Sequence, residues 1–139
     1  MTLNLKRTNI LILDDEFDIV IAIKHSLQKN GFNVSGFTNP FLALEYFELN
    51  CKNCGLILSD IRMPGMNGFE FVKKIKAIKK DAKVLLMTAF EIKDSEFSTI
   101  FPSIKVDGFI QKPVTLKELN KIIENHITNI TIDEATKMI

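Results

Sequence analysis

The residues best suited to chemistry in this sequence stand just after short apolar runs. Asp14 and Asp15 follow ILIL, Asp60 follows LIL and a serine, Thr88 follows VLLM, and Lys112 follows GFI and a glutamine. Three carboxylates gathered in one place repel one another unless a cation is present, and oxygen ligands beside phosphate chemistry favour Mg²⁺. A hydroxyl and an ammonium add a hydrogen-bond donor and a positive charge. Such a set suits phosphoryl transfer, in which positioning and charge neutralisation do most of the catalysis.

The apolar runs resemble strands that are buried in a parallel sheet. They predict five strands, at residues 10–13, 34–37, 56–58, 84–87 and 108–110. Amphipathic stretches of helical period lie between them. These predict helices over Phe17–Lys29, Pro40–Asn50 and Gly68–Lys79, with apolar faces formed by Val20, Ile23 and Leu27 in the first and by Phe71, Val72, Ile75 and Ile78 in the third.

Local signals mark the ends of these helices. Asn30-Gly31 is typical of a helix end, and Thr38-Asn39-Pro40 is typical of a capped start. The last helix is predicted to start after Thr115 as N-cap, because Glu118 three residues later completes a capping-box pattern. We expect it to end near Asn129, with an apolar face formed by Leu116, Leu119 and Ile123.

Regular alternation of strands and helices predicts the fold class. Right-handed helical crossovers connect parallel strands and cover both faces of the sheet, so the sequence predicts a doubly wound five-stranded α/β domain. The functional crevice of such a sheet lies beyond the carboxyl ends of its strands. The polar residues that follow the apolar runs are therefore expected to converge there.

Bulk composition limits the classes of function. The 139 residues are 46% hydrophobic and 25% charged, which is typical of a single compact domain. A net charge of +1 gives no overall field that would favour nucleic acid or an anionic membrane, so any charge-based function must be local. No apolar run reaches the roughly 20 residues of a membrane span, and residues 1–9 lack a signal-like apolar stretch. We expect a cytoplasmic protein.

The order of these motifs resembles the receiver domain of two-component response regulators. That family has an acidic pair after the first strand, a phospho-accepting aspartate after the third, a Thr or Ser after the fourth and Lys-Pro after the fifth. The segment LSDIRMPGMNG, residues 58–68, closely matches the family signature D-x-x-M-P-x-x-x-G. The resemblance runs from about Asn9 to Ile127, and it implies the flavodoxin-like strand order 2-1-3-4-5.

The resemblance implies roles for individual residues at the strand ends. Asp60 would accept a phosphoryl group from a histidine kinase or a phosphotransfer protein. Asp14, Asp15, Asp60 and the backbone carbonyl of Arg62 would bind Mg²⁺. The protein would catalyse only its own phosphorylation and dephosphorylation, and would not be an enzyme acting on other substrates.

The resemblance also implies a switch and a cis peptide bond. Thr88 would hydrogen-bond one phosphoryl oxygen and Lys112 would pair with another. Phe109 occupies the position of the aromatic switch residue, without the hydroxyl of the commoner tyrosine, although a simply buried phenylalanine is nearly as good an interpretation. The Lys112-Pro113 bond would be cis. Arg62 and Phe90 match positions that influence how long the phosphoryl group persists.

Residues outside the strand ends have simpler interpretations. Gly65 and Gly68 would shape the loop after Asp60, along with Met63-Pro64, since glycine permits conformations that other residues resist. Glu16 is predicted to cap the first helix through its dipole in preference to a role near the metal. Each strand-end residue taken alone would be an ordinary turn or surface residue, and only their joint placement favours a site.

The predicted fourth helix, Glu91–Lys105, departs from a solvated helix. It contains Pro102 and the apolar residues Phe97, Ile100, Phe101 and Ile104. We expect a docking surface for a downstream protein, or a homodimer interface, formed by this helix, the fifth strand and the last helix. The domain would span residues 1–129, with a short tail at 130–139 and no output or DNA-binding domain.

Three alternatives stay open. A Mg²⁺-dependent aspartyl phosphatase or phosphotransferase would use similar residues, but it usually needs a cap insertion, and the loops here are short. A receiver-like module could instead dock partners without being phosphorylated. Cys51 and Cys54 have the C-x-x-C spacing of redox dithiols, but they lie in a polar segment before a strand, which favours structural loop cysteines.

Overall fold

The structure is a computed structural model, and it describes residues 8–89 and 105–137, with side chains up to Ile127. Two predictions lie outside these residues. One is the fourth helix with its apolar surface, which covers most of the predicted docking or dimer interface. The other is the role of Phe90 beside the phosphoryl group.

A parallel sheet of five strands forms the centre of the fold. Its order is β2-β1-β3-β4-β5, and each neighbouring pair is parallel, as predicted. The strands are β1 (Asn9–Leu13), β2 (Asn33–Phe37), β3 (Cys54–Asp60), β4 (Val84–Thr88) and β5 (Gly108–Gln111). The described helices are α1 (Phe17–Lys29), α2 (Pro40–Asn50), α3 (Gly68–Ile78) and a C-terminal helix (Leu116–Lys137), with a short 3₁₀ turn at Cys51–Asn53.

Alternating side chains on the strands build a core on each face of the sheet. In β1, Ile10 and Ile12 face one cluster and Leu11 and Leu13 face the other, as the two-residue period of a strand requires. The first cluster packs against α1 and the C-terminal helix, and the second against α2 and α3. Helices therefore cover both faces, which confirms the doubly wound architecture.

The predicted helix caps are present. The Asn39 side chain accepts hydrogen bonds from the backbone N–H groups of Phe41 and Leu42, at 2.8 and 3.3 Å. The Thr115 hydroxyl accepts one from the N–H of Glu118 at 3.1 Å. These bonds satisfy donors that the first turn of a helix leaves without a partner. The second and last helices therefore start where the sequence indicated.

The C-terminal helix starts as predicted but differs from its prediction in where it ends and in its first apolar residue. It continues to Lys137 instead of ending near Asn129. No Gly or Pro occurs from Leu116 to Ile139, so the chain contains no helix breaker at the expected end. Leu116 is 42% exposed, because the buried stripe begins one turn later, at Leu119. Among the residues described, no helix combines the length and apolar character that crossing a bilayer requires.

Candidate functional site

The carboxyl ends of β1, β3, β4 and β5 bring the predicted residues to one edge of the sheet. Asp14 directly follows β1, and its N–H donates to the carbonyl of Phe37 at the end of β2 (3.1 Å). Asp60 and Thr88 are the last residues of β3 and β4, and Lys112 directly follows β5. Because all five strands are parallel, these ends form a single crevice.

Three carboxylates meet in this crevice. Oxygen atoms of Asp14, Asp15 and Asp60 all lie within 4.8 Å of one another. Asp14 is buried, Asp60 is half-buried and Asp15 is exposed. A graded arrangement of this kind gives the cluster a fixed floor and an open, solvent-facing side.

Lys112 is the cation that joins two of these carboxylates. Its Nζ donates to Asp14 Oδ2 at 2.9 Å and lies 3.6 Å from Asp60 Oδ1. The backbone N–H of Lys112 donates to the carbonyl of Thr88 at 2.7 Å, which holds the residue in place. The Lys112-Pro113 peptide bond is cis, as predicted. Burial acts to lower the pKa of Lys112, but the hydrogen bond and charges of Asp14 and Asp60 outweigh it, so the pKa is raised above 10.5.

Asp60 titrates in a balance of opposing effects. Burial raises its pKa above the ordinary 3.8, Lys112 opposes this, and the charges of Asp14 and Asp15 reinforce it. When Asp60 and its charged neighbours are all ionised, the three carboxylates and the Lys112 ammonium together carry a net charge of −2. An oxygen-rich cluster with this imbalance fits a hard divalent cation such as Mg²⁺.

Asp14 combines its place in the crevice with a turn-forming role, which the sequence suggested only for an aspartate considered alone. Its Oδ1 accepts a hydrogen bond from the N–H of Glu16 at 2.9 Å, while Oδ2 receives Lys112. Both oxygens are therefore held, and the turn from β1 into α1 is fixed by the same side chain. Glu16 is the N-cap residue of α1 but makes no side-chain capping bond. The sequence signal for this role is an aspartate two residues before the N-cap residue of a helix, since such residues commonly form local turns of this type.

The loop after Asp60 is packed tightly against the strand end. Ile61 N–H donates to the carbonyl of Met87 at 3.2 Å, and Gly68 N–H donates to the carbonyl of Ile61 at 2.7 Å. A Cβ on Gly68 would stand 2.6 Å from the Asp60 carbonyl oxygen and 2.8 Å from Ile61 Cα, so only glycine fits. Gly65 has a φ of 81°, a conformation that L side chains rarely adopt. Both glycines shape the loop, as predicted.

The family model for the response regulator receiver domain matches residues 10–124 of this sequence. The chain belongs to this family. The receiver domain so identified has its acidic cluster, its lysine and its cis peptide bond at the carboxyl edge of the sheet.

Individual relatives agree with this assignment. The response regulator SaeR of Staphylococcus aureus is 32% identical over 124 residues, which is 88% of this chain and 52% of SaeR. The chain thus spans about half the length of the curated relatives it matches. A CheY-like receiver domain protein from Methanospirillum hungatei has a TM-score of 0.80 at 25% identity, covering 91% of this chain and 98% of that one.

One similar structure was determined with a metal and a phosphoryl mimic. The response regulator protein TrrA from Thermotoga maritima, in complex with Mg²⁺-BeF, has a TM-score of 0.71 and 32% identity, over 86% of this chain and 98% of its own. The ligands are a property of that protein. Its overall fold matches the receiver domain described here.

The remaining predicted residues occupy the expected positions, and their roles stay predictions. Thr88 is buried (6% exposed) at the end of β4, where it pairs in register with Gln111. Phe109 is half-buried and packs against the second core cluster, beside Leu86 in register. Arg62 is exposed and follows Ile61 in the loop. The receiver domain therefore places the hydroxyl and the aromatic ring on neighbouring strands.

The two cysteines lie away from this crevice. Cys54 is the first residue of β3, whereas Asp60 is its last, and both thiols are free. Burial raises the pKa of Cys54 from 9.0 to about 11, against smaller opposing effects from a backbone hydrogen bond at Leu56 and the charge of Lys79. Reactive redox thiols have lowered pKa values. The environment of Cys54 therefore favours the structural interpretation over a redox dithiol.

Proposed function

We propose that this receiver domain accepts a phosphoryl group on Asp60 from a histidine kinase or a phosphotransfer protein. The observation that carries the proposal is the position of the Asp60 carboxylate, 3.6 Å from Lys112 Nζ and within 4.8 Å of oxygen atoms of Asp14 and Asp15. The Asp60 carboxylate would then act as the nucleophile, and the charged side chains beside it would balance the charge of the phosphoryl group. The placement of all four residues on strand ends keeps them preorganised.

In the proposed step, a carboxylate oxygen of Asp60 attacks the phosphorus of a phosphohistidine. The new O–P bond forms as the N–P bond breaks, and the electron pair returns to the donor's imidazole, which takes up a proton. Lys112 would pair with a phosphoryl oxygen while keeping its bond to buried Asp14. Attack by water on the acyl phosphate would later release phosphate and regenerate Asp60.

A Mg²⁺ ion would be held by Asp14, Asp15, Asp60 and the backbone carbonyl of Arg62. When bound, it would neutralise charge on the transferring phosphoryl group. The excess of two negative charges in the crevice supports a divalent ion over a monovalent one. Lys112 alone balances only one of the three carboxylates.

The response would start at Thr88 and Phe109. Thr88 would move its hydroxyl toward a phosphoryl oxygen, and the Phe109 ring on the neighbouring strand would fill the space released. A protein-docking surface near β5 and the C-terminal helix would then change, either for a downstream target or for a second copy of the chain. We place the exchange in the cytoplasm, where kinases find ATP, and we assign the domain no activity on other substrates.

Intact-mass spectrometry tests the proposal. The protein is incubated with acetyl phosphate and Mg²⁺, with EDTA in a parallel sample. We expect one added phosphoryl group, which depends on Mg²⁺, is absent in Asp60→Asn and persists in the control Asp81→Asn, where an exposed carboxylate lies outside the crevice. Phosphorylated protein should then appear on adding a phosphorylated histidine kinase.

Other results would change the assignment. No adduct under any condition, together with failure to bind beryllofluoride, would favour a docking module that acts without phosphorylation. Catalytic release of phosphate from added phosphomonoesters, lost in Asp60→Asn, would instead identify an aspartyl phosphatase.

A further inference from the structure

A dense run of lysines lies at the other end of the molecule from the crevice. Residues 73–83 read KKIKAIKKDAK, which contains six lysines and a single acidic residue. The chain has 18 basic residues in total and a net charge of only +1, so a third of its positive charge is concentrated in eleven residues. Like charges this close repel one another. A cluster of this kind is therefore a candidate binding surface.

The fold turns part of this run into a cleft. Its volume is about 820 Å³, and Lys105 and Asp107, which lead into β5, form part of its lining. Among the described residues, the lining consists of Lys73, Lys76, Lys80, Lys83 and Lys105 with Asp81 and Asp107. Residues distant in sequence thus contribute to one concave, positively charged surface.

Asp107 compensates only part of this charge. Its Oδ2 accepts from Lys76 Nζ at 3.2 Å and from the N–H of Val84 at 2.7 Å, and Oδ1 lies 3.8 Å from Lys83 Nζ. Lys76 also donates to the carbonyl of Ala82. Lys76 and Lys83 therefore contact groups of the chain itself and form the floor of the cleft.

Lys73, Lys80 and Lys105 form the exposed rim. All three side chains are open to solvent, and within the described part of the chain no ion pair engages them. Among the described lining residues, Asp81 is the one carboxylate besides Asp107. Within the described residues, the cleft thus presents ammonium groups that no carboxylate pairs with.

The cleft is separate from the phosphoryl crevice. It borders Val84 and Gly108, the first residues of β4 and β5, whereas Thr88 and Lys112 lie at or beyond the last. Four strand steps separate the two ends of β4, which corresponds to about 13 Å. An occupant of the cleft would therefore leave Asp60 accessible.

We infer that this cleft binds an acidic peptide segment of a partner protein. Neither arginine nor an aromatic residue is among its described lining residues, so it lacks the groups on which nucleic-acid bases stack. Asp81 and Asp107 would repel a continuous line of phosphates, whereas the exposed Asp81 carboxylate can accept a hydrogen bond from a peptide N–H group. Lysines placed around carboxylates thus match glutamate and aspartate side chains carried on a peptide backbone.

Fluorescence anisotropy with the full chain tests this inference. The probe is a labelled peptide of alternating glutamate and aspartate, compared with a short DNA duplex and with inorganic phosphate as competitor. Lys73→Glu with Lys80→Glu reverses two rim charges. The matched control, Lys29→Glu with Lys121→Glu, makes the same change in net charge at exposed positions on α1 and the C-terminal helix.

We expect the peptide to bind the wild type. The rim variant should bind it about tenfold more weakly, because two exposed ion pairs are lost, and the control variant should show little change. Beryllofluoride binding at Asp60 should stay unchanged in both, which shows that each variant is folded. No binding to the wild type, or equal weakening in both variants, would overturn the inference. So would tighter, rim-dependent binding of the duplex, or full displacement by millimolar phosphate, since the occupant would then be a nucleic acid or a small anion.

Discussion

The two ends of the sheet hold clusters of lysine and carboxylate with opposite imbalance. At the carboxyl end, Lys112 stands among three carboxylates. At the amino end, Asp107 lies in a cleft whose described lining includes five lysines. Both clusters are anchored at strand ends, so the same fold produces an excess of negative charge at one edge and of positive charge at the other.

The clusters differ in how far the chain's own hydrogen-bond donors and lysines compensate their carboxylates. Asp107 accepts from a backbone N–H and lies beside two lysines, which is a complete set for a half-buried carboxylate. At the other end, buried Asp14 is satisfied, but Asp60 and Asp15 add charge that Lys112 cannot balance. The contacts of Asp107, at the centre of the amino-end cluster, are explained by their contribution to folding stability. The excess negative charge of the crevice, in contrast, implies a ligand.

The largest effect that tests this contrast should come from Lys112→Met. Removing the ammonium leaves Asp14 buried without its ion partner, and breaking such a pair costs about 3 kcal/mol. We expect the free energy of unfolding without Mg²⁺ to fall by that amount, as measured by urea denaturation. Mg²⁺ should restore part of the loss, because a bound cation compensates the same carboxylates.

Lys52→Met is the matched control, since Lys52 is exposed and lies outside both clusters. Its effect should stay within about 0.5 kcal/mol. An unchanged unfolding free energy for Lys112→Met would show that Asp14 does not rely on this lysine, and the proposed difference between the two ends would fail.

Gly68→Ala should have the next largest effect. The added Cβ would meet backbone atoms of Asp60 and Ile61 at 2.6 and 2.8 Å, which cannot yield as a flexible side chain does. We expect a loss of about 2 kcal/mol, the scale of overpacking, with weaker Mg²⁺ binding because the loop carrying Arg62 must shift. Calorimetric Mg²⁺ titration and urea denaturation measure the two effects.

Gly31→Ala is the control that separates the effect of backbone strain from an effect on the metal site. Gly31 has a φ of 95° at the end of α1, away from the crevice. Alanine there should cost about 1 kcal/mol through backbone strain alone and leave Mg²⁺ affinity unchanged. If Gly68→Ala also preserved Mg²⁺ affinity, its close contact with Asp60 would not control the geometry of the site.

Asp107→Asn should have a smaller effect, confined to the amino end. The amide can still accept from Val84 N–H, but the attraction to Lys76 and Lys83 is lost, and these partly exposed pairs contribute about 1 kcal/mol. Thermal unfolding at low and high salt measures this loss, and the difference from wild type should shrink in salt. Reduced Mg²⁺ affinity in this variant would show that the two ends are coupled.

The carboxyl-end crevice was largely predictable from sequence, and the amino-end cleft was not. Asp14, Asp60, Thr88 and Lys112 each follow an apolar run, so the strand pattern alone indicated where they meet. Lys76 and Asp107 are 31 residues apart, and neither ends a strand. Net charge gave no warning, because a value of +1 averages over both clusters.

Physical detail explains the other differences between sequence and structure. Glycine at position 68 was predicted to supply backbone freedom, but the structure shows that it provides space beside Asp60. The expected end of the C-terminal helix near Asn129 was wrong, because nothing in the sequence breaks the helix before Lys137. Periodicity reports which face is buried and says less about where a helix ends.

The smallest effect concerns Cys54, which begins the strand that Asp60 ends. Its pKa of about 11, against an ordinary 9.0, implies about a hundredfold less thiolate near pH 8 than in the unfolded chain. Alkylation by iodoacetamide, followed by peptide mass spectrometry, should therefore be at least that much slower in the native protein than in urea.

Linkage gives the same shift a second test in stability. Because the folded thiol holds its proton more strongly, its stabilising contribution is complete below pH 9.0 and is lost as the pH rises through about 11. Cys54→Ser should flatten that part of the stability profile and leave phosphorylation intact. Two results would contradict the contrast between a reactive end of β3 at Asp60 and a structural end at Cys54. One is rapid alkylation of the native protein at neutral pH, and the other is loss of phosphorylation when both cysteines are replaced by serine.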